Sequence, residues 1–234
     1  MKVFVVTTQK GGAGKTTICS HLGVELSRRG YLVVLVDTDP HAGLTDWWND
    51  RVADEPALLS VAFAELGPAL ELLRESGVDF VVIDTPPQVN DRIGEIVALA
   101  DLVVIPSKAS RNDLRATRKT LDLVEASQKT MVFVLNEVRP KTRIEGEAIL
   151  ALAQHGKLAP VVHYRQDIVT GMIDGRTIQE ISPGSTGANE VKGLCDYLLK
   201  QVGIEVPKQV AKQSRKRPIT QVSKYAVAQS GDKK

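Results

Sequence analysis

Six short apolar runs recur along the chain, at 3–7 (VFVVT), 32–37 (LVVLVD), 80–84 (FVVID), 102–106 (LVVIP), 131–136 (MVFVLN) and 160–164 (PVVHY). Each is continuous rather than alternating, which predicts strands buried on both faces, as in a parallel sheet covered by helices. Between the runs the period lengthens. In 17–30, Ile18, Leu22 and Leu26 recur every four positions and Gly30 supplies a helix stop. Leu114, Thr117, Leu121 and Val124 repeat the pattern, and Val191, Leu194, Leu198 and Val202 form a last stripe with Gly203 behind it. Strand and helix alternate from Met1 to about Gly203 without an internal repeat. The expectation is a single α/β domain, a doubly wound, mostly parallel sheet with helices on both faces and right-handed crossovers.

Composition bounds this picture. A chain of 234 residues with 43% hydrophobic and 25% charged positions can build one sizeable core. The net charge of +2 is unevenly distributed: from Pro207 onward eight Lys or Arg face one Asp, a local +7, which leaves −5 on residues 1–206. The last segment also lacks large aliphatic residues at helical spacing and is rich in Lys, Gln and Ser. The division expected is therefore a folded domain over 1–206 and a basic tail over 207–234, disordered in isolation.

Two cysteines, Cys19 and Cys195, have neither CxxC nor Cys/His spacing and sit on apolar helix faces, so buried inert thiols are expected. His21, His41, His155 and His163 form no ligand spacing and are given no catalytic role. The first apolar run has strand length and ends in polar residues, and no run approaches the ~18 apolar residues of a membrane span, so a cytoplasmic protein is expected. Trp47 and Trp48 are read as starting a helix, one in the core and one partly exposed, the latter a possible docking point for a partner.

The first strand runs into TTQKGGAGKTT, residues 7–17, and then into a helix. A glycine-rich turn there gathers backbone N–H groups and the positive end of a helix dipole around one point, which makes an anion site. Gly11, Gly12 and Gly14 let the backbone approach phosphate oxygens, Lys15 can reach β and γ phosphates, and the Thr16 hydroxyl can ligate Mg²⁺. The common P-loop pattern G-x-x-x-x-G-K-[ST] would place glycine where this chain has Gln9, and a second lysine, Lys10, stands beside it. Asp84 ends another buried strand, the place for a metal-holding carboxylate in a P-loop NTPase sheet. Asp37 and Asp39 leave a third strand end, with a plain turn at Asp39-Pro40 as the alternative for Asp39.

The loop KGGAGKTT, the segments VDTDP and VVIDTPP, and the stretch 175–198 (GRTIQEISPGSTGANEVKGLCDYL) together resemble the ParA/MinD family of deviant Walker A ATPases. LTDWW at 44–48 and SRNDLRA at 110–116 are similar to the small ParA-type proteins that segregate plasmids and lack an N-terminal helix-turn-helix domain. The resemblance spans about 1–203. It implies ATP and Mg²⁺ as ligands, slow partner-stimulated ATP hydrolysis, and an ATP-bound sandwich homodimer in which Lys10 reaches the phosphates held by the other chain. By the same resemblance Gly11, Gly12, Ala13, Gly14, Lys15 and Thr16 cradle the phosphates, Thr17 adds an α-phosphate contact, Asp39 orients or activates the attacking water, Asp37 and Asp84 hold magnesium with Thr16, and Asn136 touches the adenine edge. A cation supplied in trans would make hydrolysis depend on dimerisation.

Family membership does not choose the cargo. The tail lacks Leu, Phe and Trp, which disfavours membrane attachment through an amphipathic helix, and the cysteines that metal-cluster-carrying relatives need are absent. Non-specific DNA fits best: Lys212, Arg215, Lys216 and Arg217 cluster in the tail, and Arg111, Arg115, Arg118 and Lys119 gather on one helix side. A solvated tail that aids solubility, a solvated helix face, or a dimer interface are the competing readings of these groups, and Arg139, Lys141 and Arg143 carry the same ambiguity. The resemblance implies a ParB-like centromere-binding partner and nucleoid association of the ATP-bound form. The alternative is a switch of the same family that positions a protein cargo or a conjugation complex. A third option, an amide- or carboxylate-activating synthetase, would need a substrate pocket that the sequence does not identify.

Overall fold

Successive side chains of a strand leave on opposite faces, and here the two sets are buried under different helices. The computed structural model describes residues 1–87 and 91–206. Its strands are β1 (Lys2–Val6), β2 (Val33–Asp37), β3 (Ala57–Ser60), β4 (Phe80–Asp84), β5 (Leu102–Ser107), β6 (Met131–Val138), β7 (Lys157–Leu158) and β8 (Val162–His163). Its helices are α1 (Lys15–Arg28), α2 (Gly43–Asn49), α3 (Leu66–Glu75), α4 (Asp91–Ala98), α5 (Arg111–Ala126), α6 (Arg143–Ala153), α7 (Gln166–Ile173), α8 (Ile178–Ile181) and α9 (Thr186–Gln201). Val3, Val5, Val81, Ile83, Val103 and Phe133 point into one core with Leu70 and Leu73 of α3, Ile96 of α4 and Val124 of α5. Phe4, Val6, Leu35, Val82, Val104 and Val134 point into the other, under Leu22 and Leu26 of α1 and Val191, Leu194 and Leu198 of α9.

The strand order is β3-β2-β4-β1-β5-β6-β7, with β8 also on β6, and every pairing is parallel. The doubly wound α/β reading holds, with two strands more than the apolar runs reveal. β3 is an edge strand of four residues of which only Leu59 is buried, and β7 has only two residues. The run at 160–164 contracts to Val162–His163, which continues the β7 edge along the far half of β6. Trp47 and Trp48 end α2 rather than start it, because the helix begins at Gly43 after Ala42 turns left-handed at φ 55. Trp47 is buried under Arg51, and both indole N–H groups donate internally, Trp47 to Arg176 O and Trp48 to Pro56 O. Cys19 and Cys195 are buried free thiols, pushed up by burial. No helix among the described residues is long and apolar enough to cross a membrane.

Two histidines tie layers together. His21 of α1 donates from Nδ1 to Thr17 O (2.8 Å) and accepts at Nε2 from Ile178 N of α8 (3.3 Å), so it is neutral, and its burial pulls the pKa down to about 4. His163 of β8 has Nε2 on Glu145 of α6 (2.9 Å) and Nδ1 on Glu190 of α9 (2.8 Å), which also accepts from Arg165 (2.6 Å). Burial would lower its pKa, but the two carboxylates outweigh burial and raise it above 6.5. A raised folded-state value means that the imidazolium stabilises the fold fully below pH 6.5 and that this contribution is lost as pH climbs through the folded-state value. The urea midpoint of the wild type should therefore exceed that of His163→Gln by a margin that shrinks from about pH 6 to about pH 8; a margin constant across that range would mean a neutral ring.

Candidate active site

Parallel register brings chemistry to one edge. Val6 of β1 is level with Asp84 of β4, and Asp84 with Asp37 of β2, so the loops after these strands meet where open α/β sheets bind ligands. After β1, Thr7 N still donates to Val104 O (3.0 Å), and the chain then turns away from the sheet. Gln9, where the common pattern has glycine, donates its backbone N–H to Thr120 Oγ1 of α5 (3.3 Å). Gly12 (φ 74) and Gly14 (φ 93) occupy left-handed conformations that disfavour other residues. Gly14 is the N-cap of α1. Among the described residues no protein group accepts from the backbone N–H groups of residues 14–17, and these donors lie at the positive end of the α1 dipole. The arrangement suits a polyanion such as a chain of phosphates.

Lys15, the first residue of α1, is 7% exposed. Burial lowers its pKa, while Asp84 and Asp39 act in the opposite direction. Thr16 donates its hydroxyl to Asp84 Oδ2 (2.6 Å), whereas Asp84 Oδ1 is buried without a hydrogen-bond partner. Burial pushes the Asp84 carboxyl up to about 7; the Thr16 bond and Lys15 oppose this, and Asp37 and Asp39 add to it. An orphaned buried carboxylate oxygen beside a hydroxyl fits Mg²⁺, which takes oxygen ligands and keeps several waters when phosphates share its coordination. Thr16 and Asp84 would hold the ion, whose charge would offset that of the phosphates.

Asp37 is differently placed. Its Oδ1 accepts from Asp39 N (3.0 Å), and its Oδ2 accepts from both the N–H and the hydroxyl of Thr45 (2.8 Å each). These three donors take up most of the carboxylate's acceptor positions, which suits Asp37 to meet a cation through water. Thr45, at the first turn of α2, was not visible as a site residue in the sequence. Asp39 is half-buried; its Oδ1 accepts from His41 N (3.0 Å). The bonds from Asp39 to Asp37 and from Thr38 Oγ1 to Asp84 O (2.7 Å) lock the 38–45 loop onto the metal side of the site.

Ala13 is fully buried, and Thr17 lies partly exposed on the first turn of α1, its carbonyl bonded by Ser20 and His21. Gly11 is exposed, its missing Cβ 4.0 Å from Pro87. Asn136, at the carboxyl half of β6, joins the loop: its Nδ2 donates to Ala13 O (3.2 Å) and its side chain is 1% exposed. Lys10 contrasts with Lys15. It is more open, and among the described residues it forms no hydrogen bond or ion pair.

Three of the basic groups considered for DNA lie on α5. Arg111, Arg115 and Arg118 are exposed on α5 and rim a groove of about 700 Å³ between α5 and α6, with Leu114, Leu121, Ala148 and Leu152 along its floor. The Lys119 side chain, like Lys212, Arg215, Lys216 and Arg217, lies outside the described residues. Arg143 is paired with Glu147 (2.7 Å) and is thereby partly neutralised.

The profile of the CobQ/CobB/MinD/ParA nucleotide binding domain matches residues 4–178. Over 207 residues the chain is 28% identical to the maintenance of carboxysome distribution protein A of Halothiobacillus neapolitanus, covering 83% of this chain and 94% of that protein. It is 26% identical to the chromosome-partitioning ATPase Soj of Thermus thermophilus, covering 84% and 95%. Its fold superposes with a TM-score of 0.73 on the septum site-determining protein MinD of Pyrococcus horikoshii complexed with Mg-ADP, at 20% identity over 88% of this chain and 99% of that one. A glycine-rich loop after the first strand, a family profile over most of the folded residues and near full-length relatives lead to one assignment: the chain belongs to the CobQ/CobB/MinD/ParA nucleotide-binding family and is a ParA/MinD-type ATPase.

Proposed function

We propose that this ATPase is a partition switch in which ATP and Mg²⁺ bring two copies into a sandwich dimer, the dimer holds DNA without sequence preference, and a ParB-like centromere-binding partner stimulates slow hydrolysis that releases it. One observation carries the dimer reading. Lys15 is buried among its own subunit's carboxylates, whereas Lys10 stands in the same loop with no partner among the described residues of its own chain. In this reading Lys15 and the loop N–H groups bind the phosphates, Asp39 orients the attacking water, and Lys10 from the other subunit counters charge developing on the γ-phosphate. Lys10 then ties hydrolysis to assembly.

For DNA we favour the tail residues Lys212, Arg215, Lys216 and Arg217. Arg111, Arg115 and Arg118 rim an apolar floor that phosphates do not need. The protein would be cytoplasmic and nucleoid-associated when ATP-bound, with a plasmid or chromosome as cargo. The near full-length match to a carboxysome distribution protein favours a second reading, in which the same switch positions a protein cargo. Both readings predict affinity for random-sequence DNA that is higher with ATP than with ADP or no nucleotide and that falls steeply with salt. Removing residues 207–234 should lower that affinity by at least about tenfold at moderate salt while leaving hydrolysis intact. Equal DNA binding in all three nucleotide states would refute the switch, and unchanged affinity after truncation would move the contact to α5.

A further inference from the structure

We infer that Asn136 is a positioning residue for the phosphate loop, a latch that aims the Gly14 N–H at phosphate; this rests on the nucleotide-site reading above. The side chain crosses 123 residues of sequence to place Nδ2 3.2 Å from Ala13 O, and it is 1% exposed, so the bond is sheltered from water. Across a planar trans peptide the C=O and N–H point in opposite directions. Holding the Ala13 carbonyl against β6 therefore turns the Gly14 N–H away from β6, and among the described residues that N–H has no protein acceptor. The fit leaves no slack. A Cβ on Gly14 would fall 2.0 Å from Asn136 Nδ2 and 3.3 Å from its Cγ, so the glycine at this position makes room for the latch as well as supplying φ 93.

The latch is itself anchored. Glu137, the next residue, adopts φ 55 and pairs its carboxylate with Lys108 just beyond β5 (2.6 Å), which fixes the end of β6 next to the loop. One of the two N–H donors of the Asn136 amide goes to Ala13 O, and this bond to the loop is independent of any base. Asn136 thus acts on whatever phosphate chain the loop holds.

The test compares a ligand with a base and one without. Wild type and Asn136→Ala are titrated with ATP and with inorganic tripolyphosphate, and thermal unfolding midpoints are recorded alongside. The latch predicts that both affinities fall by about tenfold, with their ratio unchanged, because one sheltered hydrogen bond that orients a phosphate donor is lost in both cases. The ratio is measured within one preparation, so a partly unfolded fraction cancels. Should the alanine variant fail to fold, Asn136→Ser, whose hydroxyl stops short of Ala13 O, gives the same reading. The proposal is overturned if ATP affinity falls while tripolyphosphate affinity holds, the signature of a base contact, or if only the unfolding midpoint moves, the signature of a structural role. Loss of ATP binding by the wild type itself would instead remove the nucleotide-site reading on which the latch depends.

Discussion

Lys15→Ala should weaken ATP binding by a factor on the order of 10² to 10⁴, the loss expected when one or two charge-assisted hydrogen bonds to phosphate disappear from a desolvated site. The size of the effect follows from where the ammonium sits. At 7% exposure little water shields it; burial works against its charge and lowers its pKa, while Asp84 and Asp39 oppose that shift. Phosphates entering the cradle would meet a cation that has no ion pair to break among the described residues. Without it, the Asp84 carboxylate would meet the phosphates with the Thr16 hydroxyl beside it and Asp37 and Asp39 nearby. Isothermal titration with ATP in the presence of Mg²⁺ measures this directly, and an affinity within a few-fold of wild type would place the phosphates elsewhere.

Lys10→Ala should give the opposite pattern. ATP affinity of the monomer should stay within about threefold of wild type, because Lys10 makes no contact with the site of its own subunit among the described residues. Hydrolysis should drop about 10³-fold, by analogy with cations supplied in trans to other phosphoryl-transfer sites. Steady-state phosphate release under saturating ATP separates the two lysines, since Lys15 acts on binding and Lys10 on turnover. Normal hydrolysis by the Lys10 variant would remove the reason for expecting a sandwich dimer.

The parts of this molecule that were legible in the sequence are those whose physics is local. β1, β2, β4, β5 and β6 are buried on both faces, so their apolar runs are unbroken and mark them as strands. β3 and β7 lie on sheet edges, bury little, and leave no comparable run. The glycine-rich loop was legible for the same reason, because its glycines, Lys15 and Thr16 lie within a few consecutive residues between a strand and a helix. What escaped depends on distant partners. Thr45 holds Asp37 from eight positions away, Thr120 takes the Gln9 N–H from 111, and Asn136 reaches Ala13 from 123. No periodicity encodes such bonds; they exist only once the sheet has brought the strand ends level. His163 is a similar case, a histidine without ligand spacing that the fold places between two glutamates.

The central claim is that each site is completed by Lys10 of the other subunit, and mixing two inactive variants tests it most directly. In a two-fold dimer of Lys10→Ala with Asp39→Ala, the site on the Lys10→Ala chain keeps its own Asp39 and receives an intact Lys10 from its partner. Each variant alone should hydrolyse ATP negligibly, and an equimolar mixture should recover about a quarter of the wild-type rate, since half of the dimers are mixed and each of those has one complete site. A mixture no more active than the sum of its components would contradict the account and return Lys10 to its own subunit.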